Sequence, residues 1–369
     1  MTERCNAACS QCARNINGGE ENPNLADREL DLESIKKIFP ESFVKQLNHI
    51  YMCGNYGDPI VAQDTLEVLK YLRSVNNDIL LTLNTNASAR TKDWWAELAQ
   101  TIRPNGFVVF SIDGLENTNH IYRKNTNWNK IIENAKSFIA AGGKAHWDFI
   151  VFEHNEHQVE EAREFALKLG FESFQVKKTA RFFSHDEAKL RNHVTILDKN
   201  GNKIELRLPK NPIYRNEGHK DIVWTEKKSI FPTITIPTTV KEVENNLTPE
   251  LFNYPLVELL DKTEIDCKVK KEKSIFVSAE GIVQPCCWVA TNMYSWFYMH
   301  KRTQIWKYIN KVGLDKLNAK NYSIKEILDG NYFNTIEESW SKPSCKEGKL
   351  AICARTCGKN LETFSKQYT

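Results

Sequence analysis

Cys5-Asn6-Ala7-Ala8-Cys9-Ser10-Gln11-Cys12 places three cysteines at C-x3-C-x2-C spacing near the start of the chain. Three thiolates so close on one loop can wrap three corners of a cubane iron–sulfur cluster, because soft sulfur suits iron and short spacers fix the geometry. A closed structural site would want a fourth ligand nearby, and the next cysteine is Cys53. Three ligands on a four-iron cluster leave one iron open. Taken alone, the loop also reads as unrelated reduced thiols or as part of a zinc site.

Around that loop, 369 residues give room for two domains, or for one barrel with an appendage. Hydrophobic residues make up 41%, enough for a sizeable core and against global disorder. Lys and Arg number 50 against 47 Asp and Glu, without a like-charge block, so nucleic acid is not an expected partner. No apolar run approaches a membrane span and no signal-like stretch opens the chain, so no membrane partner and a cytoplasmic location are expected. In that setting the ten cysteines read as reduced, metal-bound thiols rather than disulfides. Only residues 1–4 precede Cys5, where a first strand would be expected; either that strand is absent or the product is shortened.

After a Gly- and Asn-rich loop over 15–24, residues 31–39 have helical spacing with acids in the first turn and Pro40 just beyond. His49 to Cys53 is a short apolar run stopped by Gly54, hence a buried strand. Helices are then predicted over 65–75, 94–102, 131–141 and 159–169, alternating with strands over 79–83, 107–112, 146–152 and 174–176. Repeated strand–helix units imply a parallel sheet with right-handed crossovers. The five strands would become six with a displaced one before Cys5. Periodicity alone permits either an open barrel or a doubly wound sheet.

This α/β unit is assigned to residues 1–180. Residues 181–253 read as a linker or insertion, carrying a hairpin from Val194 to Leu206 around Asn200-Gly201. Residues 254–369 form a second, cysteine-bearing unit.

In a parallel barrel, functional groups come from the C-terminal strand ends. Those ends carry Gly54-Asn55-Tyr56-Gly57-Asp58-Pro59, then Asn84-Thr85-Asn86, Ser111-Ile112-Asp113-Gly114 with Tyr122-Arg123 after it, and Asn155-Glu156. Glycines let backbone approach a ligand closely, and short polar side chains can bond hydroxyls and a carboxylate. Cys53 reads as a buried thiol, His154 and His157 as solvated, and the aromatic run from Trp288 to Tyr298 as core.

The cysteine loop resembles the signature of radical S-adenosylmethionine (radical SAM) enzymes, whose open iron chelates the amino and carboxylate groups of SAM. The residue before the third cysteine is usually aromatic in that family; here it is Gln11. Gly57-Asp58-Pro59 is similar to the end of the family's Gly-Gly-Glu-Pro motif, which binds the SAM amino group, with Asp58 replacing glutamate. The stretch from Ser111 to Arg123 looks like the family's segment near the ribose and the SAM carboxylate. The resemblance implies a partial (βα)6 barrel, a [4Fe-4S] cluster on Cys5, Cys9 and Cys12, and SAM held by Gly57, Asp58, Pro59, Asn84, Asn86, Ser111, Asp113, Arg123 and Asn155. It further implies an external electron donor such as flavodoxin or ferredoxin, and a peptide, protein or small-molecule substrate.

Cys267, then Gly281, Cys286 and Cys287, followed by Cys345, Cys353 and Cys357, resemble the SPASM and twitch appendages of the same enzymes. Six cysteines suit a small α+β twitch-like domain with one auxiliary [4Fe-4S] cluster. A hairpin through Ala279-Glu280-Gly281 would return Cys267 and Cys286 to one place, and Cys353 and Cys357 lie one helical turn apart. That quartet is the expected ligand set, leaving Cys287 and Cys345 spare. Two rival classes remain at this point: a zinc-stabilised binding protein, and an electron-transfer protein without SAM chemistry.

Overall fold

Alternating amphipathic helices and short apolar strands wind into one parallel sheet. The computed structural model describes residues 1–179, 181–184, 189–198, 200–216, 239, 241, 257–296 and 303–359. Helices α1 (Leu32–Ile38) and α2 (Glu41–Val44) precede β1 (His49–Met52). There follow α3 (Thr65–Val75), β2 (Leu80–Thr85), α4 (Lys92–Ile102), β3 (Gly106–Ser111), α5 (Asn119–Tyr122), α6 (Trp128–Ala140), β4 (Ala145–Ile150), α7 (Val159–Leu169) and β5 (Ser173–Lys177). The helices begin where side chains satisfy orphan N–H groups: Asp31 accepts from Ser34 N, Thr91 from Trp94 N and Asn127 from Lys130 N. Gly170, at φ 93°, ends α7 in the left-handed conformation.

The strands pair in order β1-β2-β3-β4-β5, all parallel. Along β3, Val108 and Phe110 are buried while Phe107, Val109 and Ser111 are less so. One face of the sheet therefore packs on the helices, and the other forms the inner surface that carries Ser111. Trp95, Phe110, Phe138, Trp147 and Phe149 are completely buried between sheet and helices, each contributing about 1.5–3 kcal/mol by leaving water.

The sheet has five strands among the described residues, not six. Residues 1–4 bond elsewhere: Thr2 bridges antiparallel to Glu29, Glu3 N donates to Arg28 O (2.9 Å) and Leu30 N donates to Met1 O (2.8 Å). The segment also lies over the turn after β1. A Cβ on Gly57 would stand 2.1 Å from Thr2 O and 2.7 Å from Arg4 O, so only glycine permits this approach.

The expected hairpin forms from His193–Leu197 and Lys203–Arg207, in register from His193↔Arg207 to Leu197↔Lys203. Most of the linker expected over 181–253 lies outside the described residues, as do the last two residues of the aromatic run, 297 and 298. In the C-terminal region, Phe276–Val277 and Val283–Gln284 make the expected short hairpin. The rest of that region is helical where described, including Cys287–Met293, Asn331–Ser339 and Ala351–Cys357. Its core continues into that of the sheet unit, with Tyr56 and Tyr294 meeting edge to face at 5.3 Å.

Candidate active site

The loop carrying Cys5, Cys9 and Cys12 packs in one apolar cluster with Ala7, Tyr122, Ile150 and Phe152. Its turn is closed by Cys12 N to Cys9 O (2.9 Å) and anchored by Ala8 N to Lys124 O (3.0 Å). Gln11 donates to the Arg181 carbonyl (2.9 Å), and Arg181 returns a bond to the Gln11 carbonyl (2.8 Å). Burial raises the Cys5 thiol well above its ordinary range and lifts Cys9 to about 11, although Arg123 opposes the rise at Cys9. Iron binding must therefore displace protons from thiols that the apolar loop keeps protonated.

Two chains of hydrogen bonds end on these sulfurs. The first begins at Asp58, 4% exposed, whose carboxylate accepts from Thr85 Oγ1 (3.0 Å), Asn86 N and Nδ2 (2.7 Å each) and Ile60 N (3.2 Å). Asn86 Nδ2 in turn reaches Cys5 Sγ at 3.7 Å and Asn6 Oδ1 at 2.9 Å. Burial pushes Asp58 up to about 6 despite these donors. The four donors match the acceptor capacity of a carboxylate, so Asp58 organises the turn and Asn86. The second chain runs from Asn155, whose amide donates to the carbonyls of Asp113 and Ile150 (2.9 Å each). Asp113 accepts from Ile150 N and Arg123 Nε (2.6 Å each), and Arg123 reaches Cys9 Sγ at 3.8 Å. Burial, which alone would lower the Arg123 guanidinium, is outweighed by Asp113 and Cys9, so it stays charged.

Asn84 and Ser111 end β2 and β3 outside these chains. Asn84 Oδ1 is buried without a hydrogen-bond partner, as is the Ser10 hydroxyl inside the loop. Orphaned polar atoms of this kind suit a polar ligand beside the cysteines. Three soft sulfurs with N–H donors aimed at two of them fit an iron–sulfur cluster.

The second cysteine group is divided by a cavity in the C-terminal region. Cys267, Cys286, Cys353 and Cys357 line one cavity walled by apolar side chains and by Trp288 and Trp340. Cys345 stands outside it, with its backbone N–H bonded to Asp261 Oδ1 at 2.7 Å. Cys287 is also outside and its thiol bonds Cys53 at the end of β1. Among the described residues no three His, Cys, Asp or Glu side chains close around a single-ion site. Tetrahedral zinc needs sulfurs about 2.3 Å from one point, whereas the ligands of a cubane bind separate irons.

Residues 1–166 match the family model described as the radical SAM superfamily. The chain carries a radical SAM domain. No curated protein matches it. Among solved structures, SuiB of Streptococcus suis bound to its precursor peptide SuiA aligns at 14% identity and TM-score 0.50, covering 96% of this chain and 70% of that one. Native anSMEcpe with bound AdoMet aligns at 15% identity and TM-score 0.49, over 96% and 86%. At such identity the SuiB likeness concerns the fold alone.

Several residues of this candidate site show their roles only in the structure. Asn6 and Thr85 complete the Asp58–Cys5 chain, and only their place beside motif residues hinted at it. Asn55 and Tyr56 reach Thr291 across the two units. His157 is exposed as expected, but His154 is partly buried: it stacks on Phe152 at 5.4 Å, and burial lowers it to about 4. No helix among the described residues is long and apolar enough to cross a membrane.

Proposed function

We propose that this radical SAM enzyme cleaves SAM reductively at a [4Fe-4S] cluster on Cys5, Cys9 and Cys12, and abstracts hydrogen from a peptide, protein or small-molecule substrate. When bound, a cluster held by Cys5, Cys9 and Cys12 would supply one-electron reduction, and SAM would supply the hydrogen-abstracting 5′-deoxyadenosyl group. The protein contributes binding, orientation and exclusion of water. Backbone carbonyls of the Gly57-Asp58-Pro59 turn receive the SAM ammonium, while Asp58 holds that turn and Asn86 in place. Arg123 uses only part of its donor fork on Asp113 and Cys9 and has donors left for the SAM carboxylate. Asn84 and Ser111 serve the ribose, and Asn155 positions Asp113.

The observation that carries this reading is the pair of hydrogen-bond chains ending on Cys5 and Cys9, each beginning in a strand-end motif. Neither a zinc-stabilised binding protein nor an electron-transfer protein needs the nucleoside site to which these strand-end motifs are suited. Under the same reading Cys267, Cys286, Cys353 and Cys357 hold one auxiliary [4Fe-4S] cluster, and an external flavodoxin- or ferredoxin-type donor supplies electrons. SuiB was solved with a precursor peptide, and peptides are the first substrate class to test.

The experiment is anaerobic reconstitution followed by reduction with SAM present. 5′-Deoxyadenosine should form, and the Cys5→Ala/Cys9→Ala/Cys12→Ala variant should form none while retaining iron at the second site. Persistence of 5′-deoxyadenosine in that variant would overturn the assignment of the loop. A colourless protein that binds zinc and no iron would overturn both cluster readings.

A further inference from the structure

The four cysteines of the C-terminal cavity are not equally supplied with hydrogen-bond donors. Cys286 Sγ accepts from Val289 N at 3.5 Å. Backbone N–H groups of Val269 and Lys270 face Cys267, and that of Lys268 faces Cys357. Cys353 differs. It lies within the helix Ala351–Cys357, and the donor facing its sulfur among the described residues is the indole of Trp340.

Trp340 follows the helix Asn331–Ser339, lines the same cavity, and has its Nε1 buried without a well-aligned partner. An indole nitrogen can only donate, so burying it unpartnered carries an uncompensated desolvation cost. A thiolate-ligated cluster in the cavity removes that cost. Lys270 Nζ stands 5.9 Å from the centre of the Trp340 ring, and Lys270 is itself paired with Glu337. A cation thus stands over the face of the ring, while its N–H is buried.

We infer that Trp340 is the donor that the backbone does not provide at Cys353, and that it tunes the reduction potential of the auxiliary cluster. Reduction adds one negative charge to a cluster already bearing four thiolates. A donor to a ligand sulfur favours the more negative state, and hydrogen bonds to the sulfurs are among the determinants of cluster potential. Trp340 therefore raises the potential, easing electron entry. This inference rests on the auxiliary-cluster reading above.

The test uses the full-length, reconstituted Cys5→Ala/Cys9→Ala/Cys12→Ala protein, in which only the auxiliary cluster contributes, titrated potentiometrically with EPR detection. Trp340→Phe keeps the ring and removes the N–H. It should shift the reduction equilibrium about tenfold toward the oxidised form, a fall of about 59 mV for a one-electron couple. Trp288→Phe, altering the other indole of the cavity, should leave the potential in place. An unchanged potential in Trp340→Phe with the cluster present overturns the inference alone. Absence of any cluster from the parent overturns the auxiliary-cluster reading instead. If Trp340→Phe loses its cluster, the Trp288→Phe protein labelled with indole 15N decides by pulsed EPR. A nitrogen coupling to the reduced cluster supports the role of Trp340, and its absence overturns it.

Discussion

Tyr56 donates its phenolic hydroxyl to the Thr291 carbonyl at 2.6 Å, joining the turn after β1 to the helix that follows Cys286. Asn55 adds bonds to the Cys287 carbonyl (3.2 Å) and the Thr291 hydroxyl (3.0 Å). The turn that presents Gly57 and Asp58 is therefore braced by the C-terminal unit. Tyr56 is 7% exposed, so Tyr56→Phe leaves a buried carbonyl short of a donor and should cost about 1–3 kcal/mol. Urea unfolding would measure the loss. The same variant should bind SAM more weakly, because the turn loses its brace; unchanged stability and affinity would refute the coupling.

This brace was invisible in the sequence, whereas much else was legible. The helices over 65–75 and 159–169 were readable to the residue, because apolar period and end signals agree there. The strand-end motifs were readable because a parallel sheet puts chemistry at one end of every strand. Contacts between units carry no period. Asn55 and Tyr56 read as turn residues, and nothing local indicates that their partner is Thr291. The sixth strand was expected from the fold pattern, but residues 1–4 spend their backbone groups on residues 28–30 and Asp58. His154 was misjudged because burial is a tertiary property, and Phe152 covers it from two residues away.

Gly57 is needed for close approach. Its missing Cβ leaves room for Thr2 O and Arg4 O, and Asp58 N donates to Arg4 O at 3.0 Å. Gly57→Ala should push residues 2–4 off the turn and disturb the adjoining cysteine loop. The expected result is lower iron occupancy at Cys5, Cys9 and Cys12 and a stability loss of roughly 1–3 kcal/mol. Iron analysis with chemical unfolding checks both; wild-type values for the pair would show that residues 2–4 move aside freely.

His154 gives the fold an acid sensitivity of definite sign. Burial is the main cause of its lowered pKa, with His120 and His157 adding to it, and it falls from 6.5 to about 4. Below 6.5 the unfolded chain takes up a proton that the folded chain refuses until about 4. Stability from this group is thus full above 6.5 and lost as pH falls toward 4, by about 3 kcal/mol at most. His154→Phe should flatten the stability profile over that window without loss at pH 7. An equally steep profile in the variant would assign the acid sensitivity elsewhere.

The last prediction separates the cysteines of the C-terminal cavity from those beside it. Cys353 and Cys357 share one face of the helix Ala351–Cys357, and the hairpin between Cys267 and Cys286 returns both to the same cavity. Cys345 is more deeply buried than Cys353, 2% exposed against 9%, so burial does not mark the ligand. Position does: Cys353 lines the cavity, whereas Cys345 stands outside it with its backbone N–H bonded to Asp261 Oδ1 at 2.7 Å. In the Cys5→Ala/Cys9→Ala/Cys12→Ala protein, iron should number about four per chain for a four-ligand cubane. Adding Cys345→Ala should leave that number and the visible absorption unchanged, while adding Cys353→Ala should lower both. If Cys345→Ala halves the iron and Cys353→Ala has no effect, Cys345 takes the place of Cys353 in the ligand set.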